Sequence, residues 1–210
     1  MMQRFLTAIL TFLGLLLAVS SAANAQIYAG LHGGGNFLQD SDVDGSGING
    51  KGETDAGFVA GGVLGYRFGV TDNLSVDVEG EFSYRYNDVD QFSASGFSAN
   101  SGGYVQSFIW MANGWLNWQI GDSGFMPYAG GGFGGVHIDI KDAAIAGVRF
   151  GNDSDFVIGG QLGGGLGYQI DEHFAVSLDY RFLITDDANF QGLDVEYQSH
   201  SVMAGIKYLF

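Results

Sequence analysis

The sequence predicts an all-β fold, a single eight-stranded antiparallel transmembrane β-barrel, and three observations lead there. The first is composition. Of 210 residues 36 are Gly, 46% are hydrophobic and 14% aromatic, while only 15% are charged and none is Cys. Glycine near 17%, against a usual ~7%, without a collagen period or a polar low-complexity bias, needs a structural cause. The second is a two-residue period in which charged side chains share one strand face and aromatic and branched ones the other. The third is an alternation of long and short polar connections between eight such segments, as expected of short turns on one side of a membrane and longer loops on the other.

The chain opens with Met1 to Ala25, which reads as a cleaved secretory signal peptide. Arg4 supplies the positive start, Phe5 to Val19 the apolar run and Ala23-Asn24-Ala25 a small-x-small cleavage site. The apolar run is shorter than the ~20 residues a spanning helix needs, so the mature domain is read as 26–210.

The eight segments are Gln26 to Phe37, Ala56 to Gly69, Leu74 to Tyr86, Tyr104 to Gln119, Phe125 to Asp139, Phe156 to Ile170, Phe174 to Leu183 and Val195 to Phe210. The connections 38–55, 87–103, 140–155 and 184–194 are long and polar. Those at 70–73, 120–124 and 171–173 are short. The third segment shows the period best. Leu74, Val76, Val78, Gly80, Phe82, Tyr84 and Tyr86 fall on one face, and Ser75, Asp77, Glu79, Glu81, Ser83 and Arg85 on the other. A helix would scatter these acids around its circumference. The seventh repeats the pattern with Phe174, Val176, Leu178, Tyr180 and Phe182 against Ser177, Asp179 and Arg181. The last does so with Val202, Ala204, Ile206, Tyr208 and Phe210 against Ser201, Gly205 and Lys207.

A soluble barrel would turn the apolar face inward. Aromatics near the ends of the apolar face, such as Tyr84, Tyr86, Tyr208 and Phe210, instead favour an outward lipid-facing face with interfacial girdles. In lipid every backbone group must be paired, so the sheet has to close, and an even strand count returns both ends to one side.

Several sequence stretches carry a resemblance. The signal-like start, the first strand "IYAGLHGGGNF", the third "LSVDVEGEFSYRY", "MPYAGGGFGG", "FAVSLDYRFL" and the closing "HSVMAGIKYLF" resemble the small outer-membrane β-barrel family of Gram-negative bacteria. This is the outer membrane protein A/X-like group, also labelled "porin family" or outer membrane protein β-barrel domain. The resemblance covers the whole mature chain. It implies location in the bacterial cell outer membrane and contact with its lipid and lipopolysaccharide. It also implies recognition of the terminal aromatic strand, with Tyr208 and Phe210, by the barrel-assembly machinery. The function it implies is structural: envelope integrity, surface display and adhesion, without enzyme activity. The alternatives are a small passive channel and, more distantly, a lipid A-modifying enzyme.

Strand parity points Arg67, Arg85, Arg181 and Lys207 inward with Asp77, Glu79, Glu81 and Asp179. Eight strands enclose a lumen just wide enough for side chains to fill, so a polar packed lumen with these eight charges in one ionic network is expected.

Other motifs carry less. Asp40-Ser41-Asp42-Val43-Asp44-Gly45 matches the front of a calcium loop, but Lys51 stands where a bidentate Glu is needed and no helices flank it. No metal or cofactor site is therefore expected, with Asp40, Asp42 and Asp44 the candidate ligands. Gly130, Gly132 and Gly135 satisfy a dinucleotide pattern formally, yet lie within a strand. Ser199 and Ser201 fall on the face opposite His200, which disfavours a nucleophile–base contact. With 8 basic against 23 acidic residues, a nucleic-acid partner is excluded. The acids crowd the long connections, where divalent ions bridging to lipopolysaccharide phosphates or a basic protein are the partner chemistries they admit.

Overall fold

The computed structural model describes residues 25–210 except 40, 46–47, 55, 95–96, 146–147, 187, 191–192 and 196. Side chains are described for 25–39, 56–88, 103–141, 153–186 and 197–210. The segment expected to be the signal peptide lies outside the described residues apart from Ala25. The strands are β1 (Ala25–Leu38), β2 (Ser41–Gly45), β3 (Ile48–Thr54), β4 (Gly57–Thr71), β5 (Leu74–Ala94), β6 (Phe97–Trp118), β7 (Phe125–Ile145), β8 (Val148–Gln169), β9 (Phe174–Thr185), β10 (Ala188–Phe190), β11 (Leu193–Val195) and β12 (Gln198–Leu209).

Eight of these close into an antiparallel ring. β1 pairs with β4 and β12, β4 with β5, and the ladder continues through β6, β7, β8 and β9 back to β12. Closure leaves the ring without an edge, which a sheet surrounded by lipid requires. Gln39 N–H also donates to the Gln198 carbonyl, and Phe210 N–H to that of Ile27 at 2.9 Å, so the β1–β12 seam is paired at both ends.

The short connections are tight turns. Asp171 Oδ1 accepts from the backbone N–H groups of His173 and Phe174, both at 2.8 Å, and these donors hold its carboxyl below the usual carboxylate range. In the 119–124 turn Gly121 and Gly124 have φ of 50° and 76°, the left-handed region that glycine enters without steric cost.

Apolar side chains face outward. Leu31, Leu64 and Leu162 are 69%, 64% and 68% exposed, while Asp77 on the opposite sheet face is 0% exposed. That inversion is what a lipid-facing surface requires. Aromatic pairs gather toward both rims: Phe125 with Tyr168 and Tyr208 with Phe174 and Phe210 beside the turns, Phe58 with Tyr86 and Tyr84 with Phe108 toward the other end.

The long connections depart from the sequence expectation. β5, β6, β7 and β8 are 21 or 22 residues long, whereas a strand crosses a bilayer in about 9–11. The ladders continue well past the apolar band, and two of the expected loops fold as hairpins above the ring. The first connection forms β2–β3, which joins the sheet at β5. The last forms β10–β11, which pairs with β2. Runs of Asp, Ser and Asn read as loop by composition, but a backbone ladder needs no apolar side chain to form.

Candidate functional site: the barrel lumen

The lumen is built by alternate residues of all eight ring strands and has two layers. The one nearer the turns is ionic. Arg67 on β4 makes a bidentate pair with Asp77 on β5, at 2.8 and 2.9 Å. Lys207 on β12 lies 3.9 Å from Asp77 and 3.4 Å from Glu79. Arg181 on β9 lies 3.9 Å from Glu79 and pairs directly with Glu81. All three acids are almost fully buried.

Neutral groups complete the layer. The Tyr28 hydroxyl donates to Glu79 at 2.9 Å and Trp115 Nε1 at 2.8 Å. Asn113 Nδ2 and Gln161 Nε2 donate to Glu81 Oε2 at 2.7 and 2.8 Å. The Arg181 guanidinium lies 5.0 Å from the Trp115 ring centre, and the Lys207 ammonium 4.5 Å from that of Tyr28. Buried charges are tolerated when paired and hydrogen-bonded in this way. Glycine makes the room: at Gly65 a Cβ would stand 2.4 Å from the Tyr28 ring.

Two of the eight predicted charges stand apart from these pairs. Asp179 accepts from the Ser177 hydroxyl at 2.9 Å and has no cation within 4.0 Å among the described residues. Arg85 donates to the Ser199 hydroxyl and likewise has no carboxylate within 4.0 Å among them. The expected four-against-four pairing is therefore three against three. Parity fixes a residue's face but not its partner: on the inward face of β5 the acids stop at Glu81, and Arg181 from across the barrel occupies it.

The layer nearer the long hairpins corrects the expected polar lumen. Ile109, Met111, Val136, Ile138, Val157, Leu183 and Tyr197 form one buried apolar cluster inside the ring, with Leu38, Val105 and Ile140 packed against it. Beside it runs a small neutral network. Asn36 donates to Asn87 at 2.7 Å, Ser201 donates to Asn36 at 2.8 Å, and the Ser107 and Tyr197 hydroxyls are 3.1 Å apart. Alternation could have located Asn113 and Trp115, which follow the inward parity of Met111. It could not separate Ile109 from Phe108 or Trp110, because both faces there are apolar.

The remaining candidates take these places. Ser199 and Ser201 are buried in the lumen, while the outward His200 has its Nδ1 2.7 Å from the Tyr180 hydroxyl. His32 Nε2 lies 3.7 Å from Glu81, and His137 Nε2 3.7 Å from Asp139. Asp42 and Asp44 belong to β2, and their side chains, like all of Asp40, lie outside the described residues. Tyr208 and Phe210 face outward with ring centres 5.0 Å apart.

Several solved structures superpose on the chain to different degrees. Neisserial surface protein A superposes with a TM-score of 0.55 at 16% identity, covering 89% of this chain and 99% of its own. The outer membrane protease OmpT from Escherichia coli gives 0.50 at 10%, covering 88% and 97%. Ail, the attachment invasion locus protein of Yersinia pestis, gives 0.44 at 16%, covering 87% and 98%. No curated protein sequence matches the chain. The sequence profile named outer membrane protein beta-barrel domain matches residues 10–208. With a closed ring, an apolar exterior and that match along nearly its whole length, the chain belongs to the outer membrane protein beta-barrel domain family and is a small β-barrel of the bacterial outer membrane.

Proposed function

We propose that this barrel is a sealed, non-enzymatic scaffold that contributes to envelope integrity and displays its long hairpins, with an adhesive role, at the cell surface. The observation that carries this reading is the double layer in the lumen. A solute crossing the barrel would have to break the Arg67–Asp77 and Arg181–Glu81 pairs and then enter the Ile109–Leu183 apolar cluster. The aperiodic, acid-rich segments sit on strands that run beyond the apolar band, where they meet lipopolysaccharide and partners from outside. Neisserial surface protein A, named as a surface protein, shares the fold. The outward Tyr208 and Phe210 serve the barrel-assembly machinery as the terminal aromatic signal. A lipid A-modifying role is disfavoured, because Ser199 and Ser201 are enclosed while His200 faces out.

Display is tested with an epitope tag. Inserted between β5 and β6, it is expected to bind antibody on intact cells. Inserted at Gly121 in the 119–124 turn, it is expected to bind only after the outer membrane is permeabilised. Equal labelling at both positions in intact cells, or the reverse order, contradicts the proposed orientation.

A further inference from the structure

Among the described residues, Arg85 is the one lumen cation held by neutral groups alone. It is 1% exposed, donates to the Ser199 hydroxyl, is hydrogen-bonded to the Tyr197 side chain, and its Nε has no hydrogen-bond partner among the described residues. Two more fully or almost fully buried polar atoms close to it make no hydrogen bond among the described residues: the Ser83 hydroxyl and His32 Nε2, the latter 3.7 Å from Glu81 Oε1. Ser83 precedes Arg85 by two residues on the same inward face of β5. His32 on β1 reaches Ser83 across Gly61 on β4, in register with both. A Cβ at Gly61 would stand 2.6 Å from His32 Nε2 and 2.9 Å from Ser83 Cα, so the absence of a side chain there lets the two approach.

Each of the three atoms can donate a hydrogen bond, His32 in the tautomer with its proton on Nε2. The neighbouring acid, Glu81, receives Arg181, Asn113 and Gln161 on Oε2, and its Oε1 lies 3.7 Å from His32 Nε2, beyond hydrogen-bonding distance. The unpaired lumen acid, Asp179, is engaged by Ser177 nearer the turns. On the other side lies the apolar cluster, with Tyr197 against Ser107. A buried guanidinium between an occupied ionic layer and an apolar one requires a compensating negative charge.

We propose that Arg85, Ser83 and His32 form an internal binding site for one small monovalent anion of the chloride class. The anion is a resident counterion. It completes the charge pairing of the lumen and locks β1 to β5 across β4, without crossing the barrel.

The test uses the refolded full chain in detergent. Urea unfolding, followed by tryptophan fluorescence, is compared in chloride and in gluconate, an anion too large for the lumen, at equal ionic strength. The midpoint is expected to rise saturably with chloride in the wild type. That dependence is expected to weaken in Ser83→Ala, which removes one donor, and to vanish in Arg85→Met, which removes the charge. In crystals soaked in bromide, an anomalous peak is expected within hydrogen-bonding distance of Arg85 Nε. A wild-type midpoint identical in the two salts, or a chloride dependence retained in both variants, overturns the proposal. So does a bromide-soaked crystal without a peak at Arg85. Should Arg85→Met fail to fold, Ser83→Ala and the bromide crystal still decide. Current through the wild type in a bilayer would count against the sealed scaffold and not against this site, so the two readings fail separately.

Discussion

Replacing Glu81 by leucine is expected to lower the free energy of unfolding by about 3–5 kcal/mol, the usual cost of leaving one partner of a buried ion pair without the other. Glu81 is 4% exposed and answers three side chains, Arg181, Asn113 and Gln161. The leucine variant leaves the Arg181 guanidinium charged among apolar and neutral groups and strips an acceptor from both amides. The double variant Glu81→Leu with Arg181→Met removes both charges, and most of the lost stability is expected to return, because a well-packed apolar pair of similar volume often matches a buried ion pair. Urea unfolding of the refolded variants measures both. A single variant that loses less than about 1 kcal/mol would mean that water reaches Arg181 and that the layer is not sealed.

The second large effect is expected at a glycine. A Cβ at Gly134 on β7 would stand 1.8 Å from the carbonyl oxygen of Trp110 and 2.9 Å from the Cα of Met111, both on β6. These are backbone atoms of the adjoining strand, so no rotamer change relieves the clash and the β6–β7 ladder must separate. Gly134→Ala is expected to cost at least the ~1–3 kcal/mol of an overpacked core and to abolish the migration difference between unboiled and boiled samples on a denaturing gel. Gly114→Ala on β6 is the control. Nothing lies within 4 Å of its Cβ, and a change within about 0.5 kcal/mol with normal migration is expected. Normal migration of Gly134→Ala would contradict the close approach of β6 and β7.

Those two sites differ in how far they could be read from the chain. Asp77, Glu79 and Glu81 announce an inward face because the alternating Val76, Val78, Gly80 and Phe82 carry no charge, so a one-residue slip would put charge in lipid. The ring of eight strands, its short turns and its inverted exterior follow from that contrast. On β6 to β8 the contrast fails. Ile109 and Val136 alternate with Trp110 and Gly135, both faces are apolar or small, and the apolar lumen layer leaves no periodic trace. The upward extension of β5 to β8 is hidden for another reason: backbone pairing needs no apolar side chain, so Asp- and Ser-rich stretches there look like loops. Pairings across the barrel are hidden too. Arg181 and Glu81 sit on opposite parts of the sequence, and only the relative height of β5 and β9 decides that Arg181, not Arg85, takes Glu81.

The sealed lumen itself is tested most directly by electrical recording on the refolded full chain in a planar bilayer. No current steps above those of the bare membrane are expected over a sustained applied voltage, since the ionic layer around Glu79 and Glu81 and the apolar layer around Ile109 and Leu183 both close the path. Long-lived ohmic steps from the wild-type protein would contradict it and identify the barrel as a passive channel.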